Sequence, residues 1–516
     1  MRQPAEDAST PRALTVTAPA LALICAAWLA VLGPAAPAAG QSQVGQPVPV
    51  PRQGPAAPLV PYGAIFSAVG AMSCVSPGNC AAGGYFNTGV GRGKVTRDAF
   101  VVGEAHGAWL APHALTGART LNVGRDAQVN SVSCASAGAC AAGGYYAING
   151  NGTWRAFVAS EAHGHWAKAI TVPGLSDLHV GEFAEVSSVS CTSPGNCSAG
   201  GDLIGGVDGQ SVQGPLLVTE VRGHWRHAIT VPGLTAIGAD EAAVTSVSCA
   251  APGDCAAGGF FIDAHSHFQG FVVNQRLGHW GKAIEVPGLG GLNVGGGGWI
   301  TSLSCSARGD CAAGGLYSSD STHVQAFVVS EVNGHWRHAE KVPGTGSLNA
   351  GGEAMVASVS CPESGRCSAG GIYKNSAGTF GVFVSRQSRT GWGDAARIPG
   401  LGRLAVFPAN SFFIDANFLS LSCPAPGKCA LAESDQLSSN SDHAFVASEA
   451  HGAWTRAIRV AAAAPSVAVF AISCAAPGDC AVGGFIGSRS RPGAIRYRAF
   501  VLDQVDGRWG RVRNVF

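Results

Sequence analysis

Short runs of alternating apolar and small polar residues follow one another along this chain and are cut apart by Gly, Pro, Asn and Asp. The stretch from Ile300 to Val342 holds four: Ile300-Thr-Ser-Leu-Ser-Cys305, Cys311-Ala-Ala-Gly-Gly-Leu-Tyr317, Ala326-Phe-Val-Val-Ser-Glu331 and His335-Trp-Arg-His-Ala-Glu-Lys-Val342. Segments this short, rich in β-branched and small residues, predict β-strands, and the turn residues between them predict antiparallel connections. Between the first and second strands stands Ser-Pro-Gly-Asn (Ser76–Asn79, Ser193–Asn196) or Ala-Pro-Gly-Asp (Ala251–Asp254, Ala476–Asp479). Pro presets φ and Gly tolerates positive φ, so a tight hairpin is expected there. The third and fourth strands are joined by Glu-x-x-Gly-x-Trp, at Glu104–Trp109, Glu161–Trp166, Glu220–Trp225, Glu331–Trp336 and Glu449–Trp454. The fourth ends in Val-Pro-Gly at Val172, Val231, Val286 and Val342, a place for Pro only on an outermost edge.

This four-strand sentence recurs, marked each time by Cys-x5-Cys: Cys74/Cys80, Cys134/Cys140, Cys191/Cys197, Cys249/Cys255, Cys305/Cys311, Cys361/Cys367, Cys423/Cys429 and Cys474/Cys480. A supersecondary unit repeated about every 57 residues must bury its apolar faces against its own copies. The predicted fold is all-β, an eight-bladed β-propeller of four-stranded antiparallel blades. A β-solenoid, or two four-bladed rings, are the alternatives. The first copy opens with an innermost strand and the last closes with an outermost one, so no strand exchange locks the ring unless Tyr62–Phe66 adds to the last blade. The two Cys of a pair would face each other across the hairpin, one disulfide per blade. Zinc binding would need further Cys or His close by, which the units lack.

Seventeen Cys leave one over, Cys25, in the apolar run Ala13–Gly33. Arg2 and Arg12 precede that run and Ala36-Pro37-Ala38 follows it, the pattern of a secretory signal with its cleavage site. Residues 1–39 are therefore expected to be a signal peptide, 40–61 a Pro/Gln/Gly-rich linker and 62–516 the propeller. Removal of Cys25 leaves sixteen thiols for an oxidising compartment. An uncleaved apolar run would instead be a membrane anchor. Charged residues are 13% of the chain and the net charge is +1, without a basic stripe, which argues against nucleic acid. A monomer without cofactor or bound metal is expected.

Three repeated features invite chemistry and have plainer explanations. The diglycine after the second Cys marks close approach of neighbouring sheets, with no helix behind it to hold a phosphate. The Trp of Glu-x-x-Gly-x-Trp is expected to wedge between blades. Serines before the first Cys (Ser73, Ser133, Ser190, Ser248, Ser304, Ser360, Ser422, Ser473) and two residues earlier (Ser131, Ser188, Ser246, Ser302, Ser358, Ser420) stack in columns near the axis. Small residues are required where eight sheets converge, and no His or Asp repeats beside them as a base would.

Function is sought in what varies. The Cys hairpins and Gly-x-Trp turns hold their length and should share one face, leaving the opposite face to the variable loops. That face would carry Arg92, Lys94, Arg97, Trp154, Asp202, Asp208, Asp263, His265, His267, His323, Arg489, Arg491 and Arg496. Asp263-Ala-His265-Ser-His267 is a candidate ligand-binding loop. The seventh copy replaces the diglycine by Ala432-Glu433-Ser434-Asp435 and follows an aromatic insertion, so Glu433, Asp435, Asp415, Phe412 and Phe413 are the first candidate site.

The strand order resembles WD-repeat and kelch blades, and the diglycine resembles that of kelch. From Val69 to Phe516 the repeats resemble exported propeller proteins of actinobacteria, a resemblance that implies fold and export and no activity. The expectation is a secreted, non-enzymatic scaffold that binds a glycan, a cell-wall component or a protein through its variable-loop face. The alternative is an extracellular glycan hydrolase or lyase, favoured by clustered carboxylates around Glu433.

Overall fold

A computed structural model describes residues 66–91, 94–150, 152–207, 210–402, 419–438, 441–450, 452–491 and 494–516. The signal, the whole of the linker and the insertion holding Phe412, Phe413 and Asp415 lie outside the described residues. Eight antiparallel sheets follow one another in the chain, each with its strands in sequence order from the axis outward. In the first blade these are Ser67–Ser76, Asn79–Gly91, Lys94–Ala105 and Ala108–Trp109.

Every predicted staple forms within its own hairpin. The bonds are Cys74–Cys80, Cys134–Cys140, Cys191–Cys197 and Cys249–Cys255 in blades 1 to 4, with Cα–Cα distances of 3.9 to 4.1 Å. Cys305–Cys311, Cys361–Cys367, Cys423–Cys429 and Cys474–Cys480 follow in blades 5 to 8, over the same 3.9 to 4.1 Å. The second Cys of each pair is buried together with the apolar residues between blades, so these sulfurs are part of the core and not of a binding surface.

The outermost strand differs from expectation. In blade 5 it is broken into His335–Trp336 and Glu340–Lys341, both paired with the third strand. The reason is a bond to the neighbour: between the two pieces, Ala339 N–H donates to the carbonyl of Pro287 in blade 4, and Ala228, Ala283, Ala395 and Ala457 repeat the bond to Pro173, Pro232, Pro343 and Pro399. Proline has no N–H to give a ladder, but its carbonyl ties the next blade's rim.

Serine hydroxyls make the inner ring. The innermost strand has a free edge, and its unpaired N–H groups would be costly if left buried without acceptors. At the first Cys of each hairpin the N–H is met by a serine of the preceding blade: Cys134 N–H donates to Ser73 Oγ at 3.0 Å, and the series runs through Cys191–Ser133, Cys249–Ser190, Cys305–Ser248, Cys361–Ser304, Cys423–Ser360 and Cys474–Ser422. Cys74 N–H closes the circle on Ser473 Oγ at 2.9 Å. The second serine column does the same for Val189, Val247, Leu303, Val359, Leu421 and Ile472.

The two glycines answer two different close approaches. A Cβ on Gly83 would lie 2.5 Å from Val129 Cγ1 of the next blade, and one on Gly84 would lie 2.0 Å from the Ala68 carbonyl of its own innermost strand. That carbonyl precedes a β-bulge at Gly70, which recurs in other blades at Asn130, Ser187, Thr245, Thr301, Ala357 and Phe470. In blade 7, Leu419 pairs directly with Glu433 and Ser420 with Ala432, with no bulge between. This is how a side chain fits where other blades need glycine.

Closure uses packing rather than exchange. Phe66 accepts from Asn87 N–H of blade 1, while residues 62–65 of the segment expected to join blade 8 lie outside the described residues. Val69 fills the space beside Gly483 of blade 8, and Phe516 packs against Phe86 and Phe100. Among the described residues no helix is long and apolar enough to cross a membrane.

Candidate functional site: one mouth with two chemistries

In several blades the Glu-x-x-Gly-x-Trp motif clamps the preceding blade. Trp225 Nε1 donates to Ser160 Oγ of the preceding blade at 3.0 Å, and the same hydroxyl donates to Glu220 Oε1 at 2.5 Å. Trp336 and Glu331 hold Asn274 in the same manner, while Trp392 and Gln387 both donate to Ser330 Oγ. At the closing seam the clamped residue is Asp503, which accepts from Trp109 Nε1 at 3.1 Å. Burial, reinforced by the Asp503 charge, pushes the carboxyl of Glu104 up to about 8. The Gly-x-Trp turns lie beside the Cys hairpins, Gly107 N–H donating to the Gly78 carbonyl and Gly223 to Gly195, so both sit on one constant face.

Between blades 4 and 5 that face has a recess of about 240 Å³, lined in part by Cys255, Cys305 and Cys311. Arg308 is already paired there with Asp254 at 2.5 Å. The disulfides ending at Cys80, Cys140, Cys197, Cys367, Cys429 and Cys480 belong to other blades and take no part in this recess. They staple hairpins and add nothing to a ligand site.

The sequence-predicted loop of blade 4 is spent on its own turn. Asp263 Oδ1 accepts from the N–H groups of His265 at 2.9 Å and His267 at 3.0 Å. Burial would raise its pKa, but these N–H groups outweigh that and hold the carboxyl below its usual range. Asp320 and Asn375 build equivalent turns in blades 5 and 6, which marks a repeated structural device. The two imidazoles stack with centroids 5.9 Å apart instead of aligning along a strand, and the described residues contain no group of three His, Cys, Asp or Glu placed to hold a metal.

In blade 7, Glu433 and Asp435 are 2% and 5% exposed. Burial, and next the charge of Asp435, push Glu433 well above the usual carboxylate range. Asp435 lies opposite His443, whose Nδ1 is 3.6 Å from Oδ1. These three are brought together. Asp415, Phe412 and Phe413 lie outside the described residues.

The informative positions are a different set. On the variable face, the residue two before the bulge of each innermost strand pairs across the sheet with the residue after the diglycine. The pairs are Ala68/Tyr85, Gln128/Tyr145, Glu185/Asp202, Ala243/Phe260, Trp299/Leu316, Met355/Ile372 and Ala468/Phe485. Blades 2 and 3 fill this place with polar groups, and blades 4 to 6 fill it with hydrocarbon. Trp299, Leu316, Met355 and Ile372 join Phe260 and Leu419 in one apolar cluster.

Arg97 stands over the polar sector with its side chain 37% exposed. Its Nη1 donates to Tyr145 Oη at 2.9 Å and to Gln128 Oε1 at 3.4 Å, and its Cζ lies 4.5 Å from the Tyr85 ring centroid. Asp126 Oδ1 is 3.5 Å from Nε and the other oxygen accepts from Trp154 Nε1. Deeper in, Asn130 Nδ2 donates to Glu185 Oε2 at 3.1 Å and Gln213 Nε2 to Asp202 Oδ2 at 2.6 Å. Burial and then the neighbouring Asp202 push Glu185 well above the carboxylate range, and burial pushes Asp202 up to about 6. Two carboxyls directly opposite across a sheet cannot both ionise cheaply, so the pair favours holding a proton. Asn130 Oδ1, Glu185 Oε1 and Ser187 Oγ are buried without a hydrogen-bond partner.

Sequence reasoning named Arg97, Asp202 and Trp154 only as members of a face. It missed Tyr85, Gln128, Tyr145 and Glu185. The signal was present: the residue five beyond the second Cys changes from Tyr and Asp to Phe, Leu and Ile between copies.

No protein-family model and no curated protein matches the chain. Among solved structures it is similar to an ulvan lyase, a polysaccharide lyase bound to -[GlcA(1-4)Rha3S]-, at 10% identity and a TM-score of 0.42, covering 74% of this chain and 95% of that one. It is also similar to the Hadza microbial sialidase Hz136, at 12% identity and a TM-score of 0.35, covering 67% and 72%. A third is the fucose-specific lectin of Aleuria aurantia, at 11% identity and a TM-score of 0.31, covering 64% and 95%. At such identities and scores the likeness concerns the chain path alone.

Proposed function

We propose that this protein is an exported binding scaffold whose variable-loop face takes a glycan at the polar sector of its mouth. Export is supported by eight disulfides, which persist in oxidising compartments, and by the signal-like residues 1–39. The observation that carries the binding reading is Arg97 lying over Tyr85 and tied to Tyr145 and Gln128. A part-exposed guanidinium framed by aromatic rings and amides offers planar hydrogen bonding beside apolar faces, the combination that orients a polar ligand. Cell-wall components and proteins are the competing ligands.

The test is a glycan array and a pull-down with residues 40–516, repeated with Arg97→Ala and Tyr145→Ala. Each variant is expected to weaken the strongest glycan signal about tenfold or more, one lost charge-assisted hydrogen bond being enough. Exposed Arg337→Ala, on the constant face, is expected to leave it unchanged. Equal binding by all three would exclude the polar sector.

An enzymatic reading has one observation in its favour, the Glu185/Asp202 pair, since a carboxyl kept protonated can serve as a general acid. Turnover of the bound glycan that disappears in Asp202→Asn would support it; binding without turnover would support the scaffold.

A further inference from the structure

Eight segments of ten residues, each built around the Trp of an outermost strand, make the rim of the ring: 105–114, 162–171, 221–230, 276–285, 332–341, 388–397, 450–459 and 505–514. They hold fourteen of the 33 Lys and Arg, ten of the 15 His and only four of the 32 Asp and Glu. Fourteen bases against four acids give the rim a formal charge of +10 and leave −9 for the rest of a chain whose net charge is +1. No one segment is a basic stripe. The ring assembles one from eight.

All fourteen bases are exposed, and only Arg513 among them forms an ion pair with a described residue, Asp503. Their continuity follows from the bond that breaks the outermost strand. Where Ala169, Ala228, Ala283, Ala339 and Ala457 donate to a carbonyl of the preceding blade, the residue just before each lies over a glycine of that blade. A Cβ on Gly117 would lie 2.3 Å from Lys168 Cγ, one on Gly174 3.1 Å from His227 Cβ, and one on Gly233 2.8 Å from Lys282 Cβ. Gly288 meets His338 and Gly400 meets Arg456 in the same way, at 3.2 and 3.3 Å. Asp394 takes this place in blade 6, over Gly344. Packed sheets stand about 10 Å apart, so positive groups recur along the rim at a spacing on that order. One residue beyond the linking Ala, Ile170, Ile229, Ile284 and Ile458 are exposed as well.

We infer that the rim is a binding belt for a long acidic polysaccharide, separate from the polar mouth and anchored on blades 2 to 4. Its carboxylates or sulfates meet Lys168, Arg226 and Lys282, and the apolar faces of its sugars meet the exposed isoleucines. A concentration of one charge sign raises the local level of the opposite one, and many weak contacts along one chain add up. A flat anionic membrane would touch a curved rim along one line and reach few of these bases, whereas a flexible chain follows the curve. A polysaccharide is favoured over nucleic acid because eight disulfides belong to an oxidising, extracytoplasmic setting.

The experiment measures binding of residues 40–516 to immobilised polygalacturonate, dextran sulfate, neutral dextran, duplex DNA and phosphatidylglycerol vesicles at about 50 and 200 mM NaCl. Affinity for one or both acidic polysaccharides, weakened by salt and absent for neutral dextran, is expected; which one binds tells carboxylate from sulfate. A free trisaccharide of the same acidic sugar is expected to compete far less well, per charge, than the long polymer. The variant Lys168→Ala/Arg226→Ala/Lys282→Ala is expected to lose about tenfold or more. The equally exposed control Arg489→Ala/Arg496→Ala/Arg498→Ala, on the second and third strands of blade 8, is expected to keep wild-type affinity. No binding to either acidic polymer, equal losses in both triple variants, a trisaccharide as effective as the polymer, or DNA or vesicles bound as tightly as the polysaccharides would each overturn the inference. A short array glycan touches one seam at most, so the array reports the mouth. If the acidic polymers fail while the array still responds to Arg97→Ala, only the belt is excluded; if both fail, the scaffold reading goes with it.

Discussion

Blades 2 and 3 and blades 4 to 6 share one backbone and disagree about chemistry at the same cross-strand pair. Glu185 faces Asp202 where Met355 faces Ile372, and Gln128 faces Tyr145 where Trp299 faces Leu316. Serine bonds, disulfides and hairpin turns are common to both halves, so the difference is not needed to close the ring. A buried carboxyl pair is retained against its own cost, which hydrocarbon in the other half avoids. The comparison teaches that in this repeat protein the invariant positions hold the ring, while the positions that change polarity are not needed for that task.

Exchanging residues between the halves puts the largest strain on that comparison. Met355 is fully buried, so Met355→Glu introduces an unpaired carboxyl and is expected to cost on the order of 3–5 kcal/mol in urea unfolding at neutral pH. The reverse exchange, Glu185→Met, is expected to be neutral or stabilising. A comparable loss from both would mean that the polar sector is required for folding.

The pH dependence separates the halves next. Asp202 is raised from 3.8 to about 6, so the folded state binds more protons than the unfolded one across that window. Its contribution is fully present below about pH 3.8 and is lost as pH rises through 6, a decline of about 3 kcal/mol. Asp202→Asn should flatten this part of the stability profile between pH 4 and 7, whereas Ile372→Val in the apolar sector should shift the profile without changing its slope.

The smallest effect is expected where the halves agree. Ser190→Ala and Ser304→Ala each remove the acceptor of one Cys N–H, that of the part-buried Cys249 and that of the buried Cys361. Each should cost about 1–3 kcal/mol, and the same amount in either half. Unequal costs would show that the serine ring is itself asymmetric.

Much of the fold was legible because its causes are local and repeated. Cys-x5-Cys can only staple its own hairpin, and Pro-Gly between the two Cys can only turn. The broken outermost strand was not legible, because Ala339 is drawn off the ladder by a proline carbonyl of another blade. Of the candidate site, Glu433 and Asp435 do converge as buried groups of one blade, beside His443, which carried no signal in the sequence, while Asp415, Phe412 and Phe413 lie outside the described residues. Asp263 accepts the backbone N–H groups of His265 and His267 in a turn whose twin recurs at Asp320. The mouth was overlooked because Gln128 and Glu185 carry no motif. Their meaning lies in occupying a place that other blades give to Trp299 and Met355.

The sequence by itself determined strands, hairpins, staples and the number of blades, since each follows from periodicity or from contacts within about 60 residues. It also determined which side chains must be small, through the diglycine and the serine columns. Only the tertiary structure decided which serine receives which N–H, that Trp and Glu clamp the preceding blade, and that the first and last hairpins become neighbours. The physical reason is that a closed ring makes every interface one between consecutive copies, including the pair farthest apart in the chain. Closure therefore brings Phe485 and Tyr497 of the last blade against Phe66 beside Tyr85 of the first, without any local signal of their proximity.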